Sequence, residues 1–225
     1  MNRMLVWITA ITLLGCGKEK LMSQDVVLFE RGRPIAPIVV EGPWEPTLPE
    51  LSPAARRTQS EQERETRRIQ ELRVRVINDL LYHLEKMTGE RPSVLDASTL
   101  SAIPAPALVL GEPALRLGAQ SPYETVMEES FRILTKEGRV LIGGESFYGT
   151  SHGIYELLRE LGCDWIFPGV EGEVIPRVER LVVPALDVAK KPAFEIRSPW
   201  ISTAWASPAE LADYELWKIR QQQTQ

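Results

Sequence analysis

The chain has 225 residues, with 26 Lys and Arg against 31 Asp and Glu and a formal net charge of −5. Apolar and charged fractions of 44% and 25% are those of an ordinary globular body, which excludes wholesale disorder and a multi-span membrane protein. A mildly acidic chain has no general attraction for a phosphate backbone, so nucleic acid is not an expected partner.

Arg3 opens the chain and is followed by an apolar run from Met4 to Leu14. About eleven residues is too short to cross a hydrocarbon core, which takes about twenty, but suits the apolar region of a secretory signal. The run ends in Leu13-Leu14-Gly15-Cys16, which resembles the bacterial lipobox. That resemblance implies that residues 1–16 are a signal peptide and that Cys16 is acylated. The expected location is therefore the cell envelope, by export and a lipid anchor to the membrane, with residues 17–25 as a linker. Cys163 is then the only other cysteine, and a single thiol has no intramolecular partner. Set between Gly162 and Asp164 in an apolar stretch, it reads as a buried, inert thiol.

Val26 to Phe29 and Ile35 to Val40 are apolar, β-branched runs separated by Glu30-Arg31-Gly32-Arg33-Pro34, which predicts a hairpin. Four prolines between Gly42 and Pro53 exclude a regular element there. From Ala54 to Met87 a helix is predicted. Its stripe of Ile69, Leu72, Val76, Leu80, Leu84 and Met87 faces a sheet, Gly89 stops it, and its Glu/Arg-rich start reads as a solvated extension, not a binding patch. Ala107 to Leu110 reads as a buried strand, followed by a loop with Gly111, Pro113 and Gly118. Ser130 to Leu134 and Arg139 to Ile142 flank Thr135-Lys136-Glu137-Gly138 as a second hairpin. Ile154, Leu157, Leu158 and Leu161 mark a helix from Thr150 or Ser151 to Gly162, and Trp165 to Phe167 and Leu181 to Val183 read as strands. The predicted class is α+β: a small mixed, mainly antiparallel sheet with two helices packed on one face.

Gly144-Glu145-Ser146-Phe147-Tyr148-Gly149-Thr150-Ser151 follows a strand and opens a helix, the setting of a phosphate-binding loop. Thr150 stands where the phosphate-binding lysine belongs and Glu145 would repel an anion, so no nucleotide is expected and the glycines read as structural. His83 and His152 are the only histidines, too few for a metal site, and neither sits in a nucleophile-elbow sequence. No catalytic residue, metal ligand or cofactor is assigned.

Four stretches resemble the N-terminal non-catalytic domain of bacterial β-hexosaminidases and α-glucuronidases. They are Ile38-Val39-Val40; Leu84 to Gly89; Val140 to Gly144 with Gly153 to Leu158; and Leu161-Gly162-Cys163-Asp164-Trp165-Ile166-Phe167-Pro168-Gly169. The resemblance covers about Val26 to Arg197 and implies an accessory α/β domain over 26–190, like the second domain of the β-hexosaminidases. In that family the domain precedes a (β/α)8 barrel, and Pro192 to Arg197 resembles the first barrel strand, so that 191–225 is expected to be the start of a barrel or a loosely docked tail. Carried over, Arg197 is a candidate for binding sugar hydroxyls, with Trp200 beside it. A barrel takes about 250 residues, so the family's catalytic carboxylates have no counterparts among the residues after Pro192. Ser207, Pro208 and Glu210 announce a further helix within this tail.

The resemblance thus implies a non-catalytic module of an exported glycoside hydrolase in carbohydrate metabolism. The alternative is a free-standing surface lipoprotein that binds glycans through Trp165, Trp200, Trp205 and Tyr148, carbohydrate then being its ligand.

Overall fold

The computed structural model describes residues 24–124, 127–194, 197 and 206–223. In chain order the elements are β1 (Val26–Glu30), β2 (Ile38–Val40), α1 (Pro53–Thr58), α2 (Glu61–Thr88), β3 (Val94–Asp96), β4 (Ala107–Leu110), α3 (Glu112–Arg116), β5 (Phe131–Lys136), β6 (Arg139–Gly144), α4 (Phe147–Glu160), β7 (Asp164–Trp165), β8 (Glu173–Val174), β9 (Arg180–Val183), β10 (Asp187–Lys190) and α5 (Pro208–Arg220). The fold is α+β, with a six-stranded sheet in the order β10-β5-β6-β4-β2-β3 and two small two-stranded sheets, β1-β9 and β7-β8.

Alternation along the central strands divides the core by face. Ile38 and Val40, Leu108 and Leu110, Val140 and Ile142, and Phe131 and Ile133 join one cluster with Val76, Leu80, Leu84 and Met87 of α2 and Ile154, Leu157 and Leu158 of α4. Val39, Ala107, Val109 and Leu141 turn the other way, onto Ala114 of α3 and Ala119. The two long helices therefore share one face, as expected. The opposite face is covered by α3 and its flanking loops, where the sequence suggested only a loop.

α2 begins with a complete capping box, in which Ser60 accepts from the Glu63 amide and the Glu63 carboxylate accepts from the Ser60 amide, and it ends at Gly89 in the left-handed conformation. The expected single helix from Ala54 is divided, because Gln59 and Ser60 are extended and α1 stops at Thr58. α5 carries the same capping-box device at Ser207 and Glu210.

Three expectations are corrected. The first predicted hairpin does not form: β2 lies between the parallel strands β3 and β4, which leaves it no free edge, and β1 pairs antiparallel with β9. Pro34 and Pro37, which have no amide to donate, lie between β1 and β2. The main sheet is not mainly antiparallel: β2-β3, β2-β4 and β4-β6 are parallel, while only β5-β6 and β5-β10 are antiparallel. The Trp165 strand ends at once, leaving Ile166 and Phe167 exposed. Of the stretch compared with a first barrel strand, 192–194 is irregular with Phe194 exposed, and Glu195 and Ile196 lie outside the described residues.

Candidate functional site

Among the assigned residues, Cys16 and Trp200 lie outside the described residues. Arg197 is placed, and each of its three nitrogens is engaged. Nη2 lies 2.9 Å from the Glu129 carboxylate, Nη1 donates to Phe194 O at 2.6 Å, and Nε donates to Gln222 O at 3.2 Å. Gln222 in turn donates to His152 O at 3.3 Å and to the Glu156 carboxylate at 3.1 Å, and Glu156 pairs with Lys190. These side chains form a polar shelf along α4. A sugar hydroxyl reaching Arg197 would have to displace protein acceptors, or bond at the outer edge of the guanidinium. His152 is buried there, and burial, assisted by the nearby Arg197, pushes its pKa down to about 4.

A second polar constellation lies inside the core, where sequence reading did not place one. Asp79 of α2 accepts from Arg220 of α5 through both carboxylate oxygens, at 2.9 and 2.6 Å, and from the Tyr155 hydroxyl of α4 at 2.9 Å. Arg220 also reaches Glu173 of β8 at 2.8 Å, and Tyr82 donates to the other Glu173 oxygen at 2.9 Å. His83 Nε2 accepts from the Trp165 indole at 2.9 Å, which leaves its Nδ1 to donate to Asp79 O at 2.7 Å. Trp165 O accepts from Trp217 at 2.9 Å and from Gln221 at 2.7 Å, so the whole C-terminal end of α5 is fastened.

Burial alone would raise the Asp79 pKa, but the hydrogen bonds from Arg220 and His83 outweigh it and hold the carboxyl at about 2. The Arg220 pKa moves the other way and is raised, since Asp79 and Glu173 more than offset the burial that opposes its charge. Tyr155 is raised by burial and by Asp79. A carboxylate held so firmly ionised is a poor general acid. Asp79 therefore serves packing, and Arg220, which reaches both Asp79 and Glu173, is the bridge that joins α5 to the body. In sequence, Asp79 and Arg220 are indistinguishable from solvated helix charges. The only trace is Ile219, at the end of an amphipathic tail helix.

The glycine-rich turn is structural in its geometry. Ser146 Oγ accepts from the Tyr148 and Gly149 amides, the groups that a bound phosphate would need, and donates to Glu128 O. Cys163 is buried, its thiol pushed up to about 12 by burial, and its sulfur lies 3.8 Å from that of Met87. Two of the aromatics considered for glycan stacking are corrected: Trp165 is 1% exposed and Tyr148 is 9% exposed, so neither offers a ring face to a sugar. Trp205 lies outside the described residues. Among the described residues no group of three or more His, Cys, Asp or Glu is placed to hold a metal ion.

No protein-family model matches this sequence, and no curated protein matches it. Among solved structures it is weakly similar to an inactive mutant of the GH20 exo-β-N-acetylglucosaminidase from Vibrio harveyi. The two share 12% identity at a TM-score of 0.39, over 79% of this chain and 18% of that one. This chain thus spans less than a fifth of that enzyme's length. No residue role rests on the likeness.

Proposed function

We propose that this chain is a non-catalytic accessory module of an exported glycoside hydrolase system in carbohydrate metabolism, anchored to the envelope through Cys16. The observation that supports this most is the mutual packing of the four stretches that resemble the accessory domain of β-hexosaminidases and α-glucuronidases. Ile38-Val39-Val40 is β2, within the main sheet. The second stretch closes α2, where Met87 O accepts from Val178 N at 2.8 Å and Met87 meets Cys163 of the fourth stretch. The third is β6 with the buried face of α4, whose Tyr155 ring packs edge-on against Trp165 at 5.4 Å. The resemblance therefore describes one contiguous core.

In this reading the hydrolytic carboxylates belong to another domain or subunit, and Arg197 and Trp200 are the residues that meet sugar. Immunoprecipitation of the native protein from the membrane fraction is expected to carry a glycosidase activity with it, and Cys16→Ser is expected to release the module from the membrane. A module that brings down no glycosidase, and that stays membrane-bound without Cys16, would sink the reading.

A further inference from the structure

The stretch that reads in sequence as a solvated, charge-alternating extension is folded back on itself. The proline-rich segment before α1 returns along the first turns of α2, and between them lies a hollow of about 320 Å³ lined by Leu51, Arg56, Gln59, Arg64, Arg67, Arg68 and Glu71. Spacing explains the convergence: 64, 67, 68 and 71 fall on one helical face, and Arg56 comes from α1 across the elbow.

Two of these arginines are positioned by the backbone. Arg56 Nε donates to Leu51 O at 3.2 Å, and Arg67 donates to Pro49 O at 2.9 Å and to Glu71 at 2.8 Å. The other two are nearly unspent. Arg68 has one ion pair, with Glu65 at 3.9 Å, and the Arg64 side chain makes no hydrogen bond or ion pair among the described residues. Glu71, the one carboxylate lining this hollow, is already paired with Arg67. Glu61 and Glu65 line the adjacent hollow on the other side of Arg64 and Arg68.

We propose that this elbow is a binding site for a phosphate or sulfate ester. A planar carboxylate is satisfied by one bidentate arginine, whereas guanidinium groups arriving from two helices match the acceptors of a tetrahedral oxyanion. The hollow is at the lower end of the size range of ligand pockets, about 300–1,000 Å³, so it admits the group that carries the ester as well as the anion. The site is independent of the accessory-module reading.

The test is calorimetric titration of the full chain at physiological salt, where diffuse attraction is screened. The probes are inorganic phosphate, inorganic sulfate, glucose 6-phosphate, glucose 6-sulfate and vesicles of phosphatidylglycerol. Saturable one-to-one binding of a sugar ester supports a soluble source of the ligand, and binding of the vesicles alone supports a lipid headgroup as the same ester chemistry. The double variant Arg64→Ala/Arg68→Ala replaces two exposed side chains, so it keeps the melting temperature, and it should weaken binding about tenfold or more. Binding of inorganic ions without esters, binding unchanged in that variant, or no saturable binding of any probe overturns the proposal.

Discussion

Asp79 stays ionised in the folded protein down to a pH of about 2, whereas an exposed aspartate titrates near 3.8. Because the folded value is depressed, the resulting stability is present above pH 3.8 and is lost as the pH falls through 2, about 2 kcal/mol in all. His152 acts in a higher window. Its folded value of about 4 lies below the ordinary 6.5, so between these limits the unfolded chain takes up a proton that the folded chain refuses. Both states are neutral above 6.5, and stability then falls by about 3 kcal/mol as the pH drops to 4. Denaturant unfolding measured from pH 7.5 to 3 should show this early decline, and His152→Asn should flatten it. A wild-type profile level between pH 6.5 and 4 would show that His152 is not kept neutral by its site.

The elements that sequence predicts well are those whose ends carry their own chemistry. α5 announces itself by its Ser-x-x-Glu capping box, the end of α2 by Gly89, and the β5-β6 hairpin by Glu137-Gly138, whose φ values of 51° and 73° form the two-residue turn that a hairpin prefers, whereas the Ser60–Glu63 box that starts α2 is hidden within a longer helical pattern. Pairing partners are less legible, since an apolar, β-branched run tells that Val26 to Phe29 is a strand but not that β9, about 150 residues away, completes it. The entry to α4 is hidden for a related reason. Phe147 and Tyr148 follow β6 after only Glu145 and Ser146 and lie ahead of the periodic Ile154, Leu157 and Leu158, and only Ser146, by its hydrogen bonds, marks the start. Here a glycine is required by close approach: a Cβ at Gly149 would stand 2.3 Å from Ser130 O and 3.0 Å from Glu128 O, both backbone atoms. Gly149→Ala gains about 1 kcal/mol of helix propensity, but overpacking costs about 1–3 kcal/mol or more. The variant should therefore melt several degrees lower. An unchanged or raised melting temperature would mean that the 128–130 segment yields without cost.

For the molecule as a whole, the interior ties matter more than the surface ones. Exposed pairs such as Arg31 with Glu179 contribute little, whereas Arg220 connects α2, α4, β8 and α5 through Asp79, Tyr155 and Glu173. Arg220→Met leaves two buried carboxylates uncompensated and should cost about 3–5 kcal/mol, a large part of the 5–15 kcal/mol that typically holds a domain. Urea unfolding at pH 7 measures the loss, and a red shift in the emission of Trp165, fastened by the same helix, reports where it occurs. A cost below about 1 kcal/mol would show that apolar contacts of Trp217 and Ile219 hold α5 without the ion network. None of this network was visible in the sequence, because a buried charge and a solvated one are written with the same letter. The same tie also sets a clock. Asp79 and Arg220 are 141 positions apart, and at translation rates of about 5–20 residues per second the aspartate leaves the ribosome on the order of ten seconds before its counter-charge exists. During that interval α2 cannot close its polar seam, so the nascent chain must wait, exposed to proteases and to its neighbours, until Arg220 has been made and has emerged.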